Sequence, residues 1–204
     1  MTSDALSPVS RETLDNLHAY AALLEKWSAK INLVAPATIA ALWDRHIRDS
    51  AQVFALAPRD AALWVDLGTG GGLPGLVCAI MARDQMPDCR FVLIESDQRK
   101  AAFLMTAARE LGLANVQVLA QRIEAAPPQA AQIVTARALA PLPQLLPLVA
   151  RHAVAGAVAI LPKGKAYAEE LEAARKDWHF TATAHVSQTD PLARVLEIKE
   201  ISRA

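Results

Sequence analysis

The stretch Leu63-Trp64-Val65-Asp66-Leu67-Gly68-Thr69-Gly70-Gly71-Gly72-Leu73-Pro74-Gly75 is where residue type and spacing most constrain the chemistry of this chain. A short apolar run stops beside an acid, and five of the nine residues after Asp66 are glycine. Glycine reaches positive φ at little cost and lets a ligand approach bare backbone. Helical spacing then begins at Leu76, Val77, Ile80 and Met81. Strand, tight loop and helix in that order form the first unit of a nucleotide-binding α/β sheet. Pro74 suits the first helical turn, whose unpaired N–H groups are expected to face the negatively charged part of a ligand.

Gly70, Gly72 and Gly75 fit the dinucleotide spacing G-x-G-x-x-G, a weak signal taken alone. Two features oppose NAD. The fitting glycines begin three residues after Leu67, whereas a dinucleotide loop opens straight off its strand. Asp66 also stands at the mouth, where it opposes a pyrophosphate and suits an ammonium. A ligand bearing both an ammonium and a carboxylate satisfies both conditions, and the methionyl end of S-adenosylmethionine has the two groups. An ordinary βα turn that binds nothing is the plain alternative.

The elements that must position these residues follow in order. Residues 8–30 read as an amphipathic helix on Leu14, Leu17, Tyr20, Leu24 and Trp27. A second helix after Pro36 has Ile39, Leu42, Trp43, Ile47, Ala51 and Phe54 as its stripe and ends before Pro58. Strands are expected at 90–95, 116–119, 132–137 and 154–161, with helices over 98–111, 143–153 and 166–178. The tail alternates over 181–186 and 194–201 and reads as a hairpin. Strand–helix alternation implies a parallel sheet with right-handed crossovers. Ligands then sit outside the carboxyl ends of the strands, at Asp66 with Gly68, Glu95, Ile123 with Glu124, Arg137 and Lys163. A carboxylate at Glu95 can accept both hydroxyls of a ribose, in charge-assisted bonds worth about 1.5–3 kcal/mol each. Asp97 is the natural cap of the helix opening at Gln98.

Acidic and basic residues balance at 21 each, so no global field draws the chain to nucleic acid, and RNA binding would need a local basic patch. Cys78 and Cys89 lack metal-ligand spacing and read as reduced, packed thiols; no metal is expected. Met1-Thr2-Ser3-Asp4 carries no basic n-region, and no apolar run approaches membrane-spanning length, so a soluble cytoplasmic protein without a membrane partner is expected.

A set of short motifs carries a resemblance. Asn32-Leu33, Arg45-His46-Ile47-Arg48-Asp49-Ser50 and Asp66–Gly75 are followed by Arg99-Lys100, Phe103-Leu104, Glu110-Leu111-Gly112-Leu113, Arg122-Ile123-Glu124, Thr135-Ala136-Arg137-Ala138 and Lys163-Gly164. In this order, over about residues 14–165, the chain resembles the bacterial ribosomal RNA small subunit methyltransferase G family, also called glucose-inhibited division protein B. Val34 stands where that family usually has Thr, Glu95 replaces a common Asp, and the last forty residues match weakly.

The resemblance implies a class I S-adenosylmethionine-dependent methyltransferase: a Rossmann-like, mostly parallel seven-stranded α/β sheet with a C-terminal antiparallel hairpin. An N-terminal two-helix cap (1–57) would pack on the catalytic unit (58–204) as one compact body. It implies transfer to N7 of a guanosine in the 530 loop of 16S rRNA, with S-adenosylhomocysteine as product. Gly68, Leu73, Ile123-Glu124 and Arg137 fall on cofactor positions, and Asp66, Thr69, Gly70 and Glu95 join them from the reading above. Guanine N7 carries an in-plane lone pair, so attack on the methyl group needs no general base. The chain accordingly lacks both the Asn- or Asp-Pro-Pro-aromatic tetrad of amine methyltransferases and a strand-end Pro-Cys or Thr-Cys. Catalysis would rest on proximity and orientation.

Arg137 is expected at the transfer site, on the cofactor carboxylate, an RNA phosphate or guanine O6; a rim salt bridge is its plain alternative. His46 is expected as a packed histidine bonded to Asp49 rather than a proton carrier. Arg45, His46, Arg48, Lys163 and Lys165, with Arg99 and Lys100, are the candidate contacts to 16S rRNA in the small ribosomal subunit. A monomer is expected. The rivals are an NAD-dependent dehydrogenase, resting on the glycine pattern, and a non-catalytic RNA-binding module of the same fold.

Overall fold

Leu63–Leu67 forms β1 at the centre of the sheet, parallel to β2 (Arg90–Ile94) on one side and β4 (Ala131–Thr135) on the other. The computed structural model describes residues 6 and 9–204; Met1–Asp4, read above for a leader, and Pro8, the expected start of the first helix, lie outside the described residues. With β3 (Val116–Leu119), β5 (Ala153–Lys163), β6 (Trp178–Val186) and β7 (Arg194–Arg203), the strand order is β3-β2-β1-β4-β5-β7-β6. The first five strands are mutually parallel, and β7 runs antiparallel to both β5 and β6. The seven-stranded, mostly parallel sheet with a closing hairpin is therefore present.

Side chains alternate across the sheet with period two. Trp64, Phe91, Leu93, Ile133 and Ile160 enter one core, and Val65, Leu67, Val92, Ile94, Val134 and Leu161 enter the other. The first core is covered by α1 (Arg11–Ser28), α2 (Asp49–Ala55), α3 (Gly75–Gln85) and α4 (Gln98–Glu110). The second is covered by α5 (Leu142–His152) and α6 (Tyr167–Ala174). Ser10 caps α1 by accepting the Thr13 N–H, and Leu17, Tyr20 and Leu24 of that helix are fully buried beside Leu73 and Leu76.

Several boundaries differ from the periodicity. β4 ends at Thr135 rather than 137, so Arg137 lies two residues beyond the strand, and the hairpin strands run longer, from Trp178 and to Arg203. The single helix expected after Pro36 is a 3₁₀ turn (Pro36–Ala41), a π turn (Trp43–Arg48) and then α2. The wide π turn takes in an extra residue and shifts the helical phase, so that His46 and Ile47 are both buried. Helix α6 stops at Ala174, because Trp178 leaves the helical stripe to start β6 and packs in the second core under the Arg203 guanidinium. β5 continues past Leu161 to Lys163; Pro162 is tolerated because the β4 pairing ends at Ile160.

Candidate active site

The chain turns after Leu67, and Asp66, still within β1, braces the turn that builds the site. Asp66 is fully buried: Oδ2 accepts the Gly75 N–H at 3.0 Å and Oδ1 accepts the Thr135 hydroxyl at 2.7 Å. Thr135 in turn accepts the Trp64 indole N–H at 2.9 Å. One carboxylate thus ties β1 to β4 and caps α3. Gly75 is required there, because a Cβ would lie 2.7 Å from Asp66 Oδ2. Burial pushes the Asp66 carboxyl up to about 6, against the hydrogen bonds from Thr135 and Gly75 and the charge of Arg137. The Thr69 hydroxyl makes no hydrogen bond of good geometry, yet lies near enough to favour the ionised form.

Two expectations change here. Asp66 lines neither cavity described below, so it is not placed to meet a ligand ammonium; its oxygens face inward to donors on β4 and α3. The first turn of α3 is not offered to a ligand either, since the Gly75 N–H goes to Asp66 and the Leu76 N–H to the Gly72 carbonyl at 2.7 Å. The dinucleotide pattern loses its basis with that turn.

A cavity of about 590 Å³ opens over the strand tips, walled by Gly68–Gly71, Leu73, Glu95, Ile123, Glu124 and residues 137–140. Gly68 adopts φ +62, and a Cβ there would lie 2.6 Å from Leu139 Cδ1 on the facing wall. Glu95, 8% exposed, accepts the Gly70 N–H on Oε2 at 2.9 Å and the Asp97 N–H on Oε1 at 2.8 Å. Each carboxylate oxygen accepts more than one bond, so Glu95 can brace the loop and still receive hydroxyls. Asp97 caps α4 as expected, through the N–H groups of Arg99 and Lys100. These residues fit S-adenosylmethionine: bare loop backbone, a carboxylate at the tip of β2 and the apolar Ile123 beyond it, around a space of ordinary ligand size.

A second cavity of about 770 Å³ shares Leu33 and residues 137–140 with the first. Arg137 stands at this boundary, 18% exposed, with Nη1 3.3 Å from Asp49 Oδ2 and 3.4 Å from the Arg45 carbonyl oxygen. Arg137 makes the salt bridge that was its plain alternative, and it also lines both cavities. His46 does not bond Asp49 as expected. Its Nε2 lies 2.7 Å from Thr38 Oγ1 and its Nδ1 3.2 Å from Arg137 Nη1. Burial and the neighbouring Arg137 charge lower the His46 pKa to about 4. Asp49 Oδ1 instead accepts Gln52 Nε2 and Thr189 Oγ1, each at 2.8 Å, which fastens the β6–β7 loop to α2.

The basic candidates separate. Arg45 lines the second cavity. Arg48 lines neither and pairs with Asp44 at 3.0 Å. Lys163 lines the second cavity but is not an outward cation: it is 8% exposed, 2.8 Å from Glu170 Oε2, and donates to the Ala140 carbonyl at 2.6 Å. Lys165 is exposed. Arg99 pairs with Asp97, and Lys100 borders the first cavity.

Several structural contributors were missed. Tyr20, read only as an apolar stripe residue, donates its hydroxyl to the Gly71 carbonyl at 2.5 Å and fastens α1 to the glycine loop. His152 and Arg151 end α5 on the carbonyls of Ile123 and Ala126 and so hold the turn that carries Ile123-Glu124. Asp49 was expected only as the partner of His46, not as the anchor of Arg137, Gln52 and Thr189. A polar atom within an apolar stripe was the available signal for Tyr20; nothing local marks the others.

Comparison with known proteins agrees with this architecture. The family described as rRNA small subunit methyltransferase G (GidB) matches residues 13–194, well into the tail that the motifs left weak. A Ribosomal RNA small subunit methyltransferase G of Cereibacter sphaeroides is 50% identical over 194 residues, 95% of this chain and 93% of that protein. Among solved structures, a methyltransferase from Geobacter sulfurreducens superposes with a TM-score of 0.61 at 17% identity, covering 89% of this chain and 88% of that one. A SAM dependent methyltransferase from Aquifex aeolicus gives 0.58 at 15% identity, covering 81% and 98%. At such identities the likeness is one of fold. By the match over most of its length, the chain belongs to the rRNA small subunit methyltransferase G family.

Proposed function

We propose that this S-adenosylmethionine-dependent methyltransferase transfers a methyl group to N7 of a guanosine in the 530 loop of 16S rRNA, releasing S-adenosylhomocysteine. The observation that carries the reading is the pair of cavities that share Leu33 and residues 137–140, one over the strand tips and a second beside it, and it supports a cofactor in the first and the target base in the second. The cofactor supplies an electrophilic methyl group on a sulfonium.

The chain's own residues bind and orient. Gly68, Thr69, Gly70 and Leu73 offer backbone to the amino-acid end, Glu95 receives the ribose hydroxyls, and Ile123-Glu124 border the adenine. Arg137 orients the group arriving from the second cavity. No proton needs to leave guanine N7, and the groups at the boundary are arranged accordingly: His46 is neutral and turned to Arg137, and Asp49 is spent on Arg137, Gln52 and Thr189. The work left to the site is alignment of lone pair and methyl group.

In this reading residues 1–57 serve as a cap on the catalytic unit 58–204, and a cytoplasmic monomer acts on the small ribosomal subunit. Arg45 and Lys165 carry the salt-dependent phosphate contacts. No helix among the described residues is long and apolar enough to cross a membrane. The product gives the test. N7-methylguanosine is cationic, and its chain breaks under borohydride and aniline. Small subunits from a deletion strain, treated with enzyme and cofactor, should acquire one new break in the 530 loop by primer extension. No break there, or labelled methyl in a fraction resistant to cleavage, would overturn the reading.

A further inference from the structure

His46 sits on the wall of the second cavity between two groups that each dictate where its proton lies. Thr38 Oγ1 donates its one hydrogen to the Ala35 carbonyl at 2.7 Å, so it must accept from His46 Nε2, 2.7 Å away. On the opposite side, His46 Nδ1 lies 3.2 Å from Arg137 Nη1 and 3.3 Å from Nη2. A guanidinium has five donors and no acceptor, so Nδ1 must be bare. Both ends of the ring favour the same tautomer, the Arg137 end because a guanidinium can only donate.

We propose that His46 is a positioning residue acting as a fixed hydrogen-bond acceptor: Ala35 and Thr38 keep its proton on Nε2, and the bare Nδ1 holds the Arg137 guanidinium at the boundary of the two cavities. The proposal rests on the reading above in one respect, that methyl transfer takes place at this boundary. The other anchors of Arg137 are long, 3.3 Å to Asp49 Oδ2 and 3.4 Å to the Arg45 carbonyl oxygen. Asp49 is also shared with Gln52 and Thr189. Three weak holds from residues 45–49 fix the plane of the guanidinium; two would let it pivot on Asp49. Burial is the largest influence keeping the ring neutral; Arg137 and Arg45 also disfavour a proton, and Asp49 favours one. A proton on Nδ1 would set donor against donor and release Arg137. The arrangement depends on the π turn, which brings His46 back toward Thr38 eight residues earlier.

Two-bond nitrogen–proton NMR correlation of the histidine rings reads the tautomer without reference to activity. At pH 7 the wild-type His46 should show its proton on Nε2 alone, and Thr38→Val should bring in a population protonated on Nδ1. In steady-state methylation of unmodified small subunits, His46→Phe keeps the volume and loses the acceptor. Its kcat should fall about tenfold or more, with S-adenosylhomocysteine affinity within about twofold of wild type. His46→Asn, whose Oδ1 occupies the place of Nδ1, should recover most of that loss. A wild-type ring protonated on Nδ1 or on both nitrogens at pH 7, a His46→Phe enzyme with wild-type kcat, or a His46→Asn enzyme as slow as His46→Phe would each overturn the proposal. If wild type methylates no small subunits, the functional reading fails, and the NMR spectrum still decides the relay.

Discussion

Gly68→Val should lower the affinity for S-adenosylhomocysteine by more than about hundredfold in isothermal calorimetry while the chain still folds cooperatively. Two effects add. Gly68 lies at φ +62, where a β-branched side chain costs at least about 1–2 kcal/mol. Its Cβ would also stand 2.6 Å from Leu139 Cδ1, so Leu139 must turn, and the new methyl groups enter the wall of the 590 Å³ cavity. Gly112→Val separates the two contributions. Gly112 has φ +65, and nothing lies within 4 Å of a Cβ built on it. That variant should lose comparable stability and bind S-adenosylhomocysteine as wild type does. Unchanged affinity in Gly68→Val, or equal loss in Gly112→Val, would remove Gly68 from the cofactor site.

The second large effect concerns stability at Asp66. Asp66→Ala orphans two buried donors, the Gly75 N–H and the Thr135 hydroxyl, at about 1–3 kcal/mol each, so roughly 3–5 kcal/mol should be lost in urea unfolding at pH 7. Asp66→Asn should behave differently. Its amide oxygen can take the Gly75 N–H, and its NH₂ can donate to Thr135 Oγ1 if that hydroxyl turns to the Val65 carbonyl, 3.4 Å away. The variant should then be at least as stable as wild type at pH 7, because it also escapes the cost of the buried charge.

The pH dependence follows from the raised carboxyl. Asp66 titrates near 6 in the folded chain against the ordinary 3.8, so between these values the folded state binds the extra proton. Stability from this group therefore falls as pH rises through 3.8 to 6, by about 3 kcal/mol in all, and Asp66→Asn should abolish that component. His46 acts with the opposite sign. Its folded value near 4 lies below the ordinary 6.5, so its contribution is present above 6.5 and is lost as pH falls toward 4. The difference between wild type and Asp66→Asn cancels the His46 part. A difference that does not vary with pH over that window would contradict the buried, strained carboxylate described here.

The parts of this molecule that were legible in the sequence are those governed by local rules. The run at 63–67 and the strands at 90–94 and 131–135 pair side by side, and their alternate residues fill opposite cores, so composition and spacing sufficed. Asp97 capping α4 was equally local. What escaped depends on partners distant in the chain. A strand-final acid can meet a ligand or brace an elbow, and Asp66 braces because Thr135 faces it from 69 residues away. Lys163 looked like part of a basic run; Glu170 on α6 and the Ala140 carbonyl turn it inward. The π turn at Trp43–Arg48 is a phase slip of one residue, which period counting over a single helix absorbs without trace. It is nevertheless the feature that brings His46 and Asp49 to Arg137.

The arrangement of the cofactor over the strand tips is the claim from which the roles of Gly68, Glu95 and Arg137 all descend. A crystal structure of the chain with saturating S-adenosylhomocysteine tests it most directly. The account predicts the amino-acid end of the ligand against Gly68–Leu73, both ribose hydroxyls on Glu95 and the sulfur facing Arg137 across the shared wall. Density for the ligand elsewhere, or a clear crevice at saturation, would contradict it.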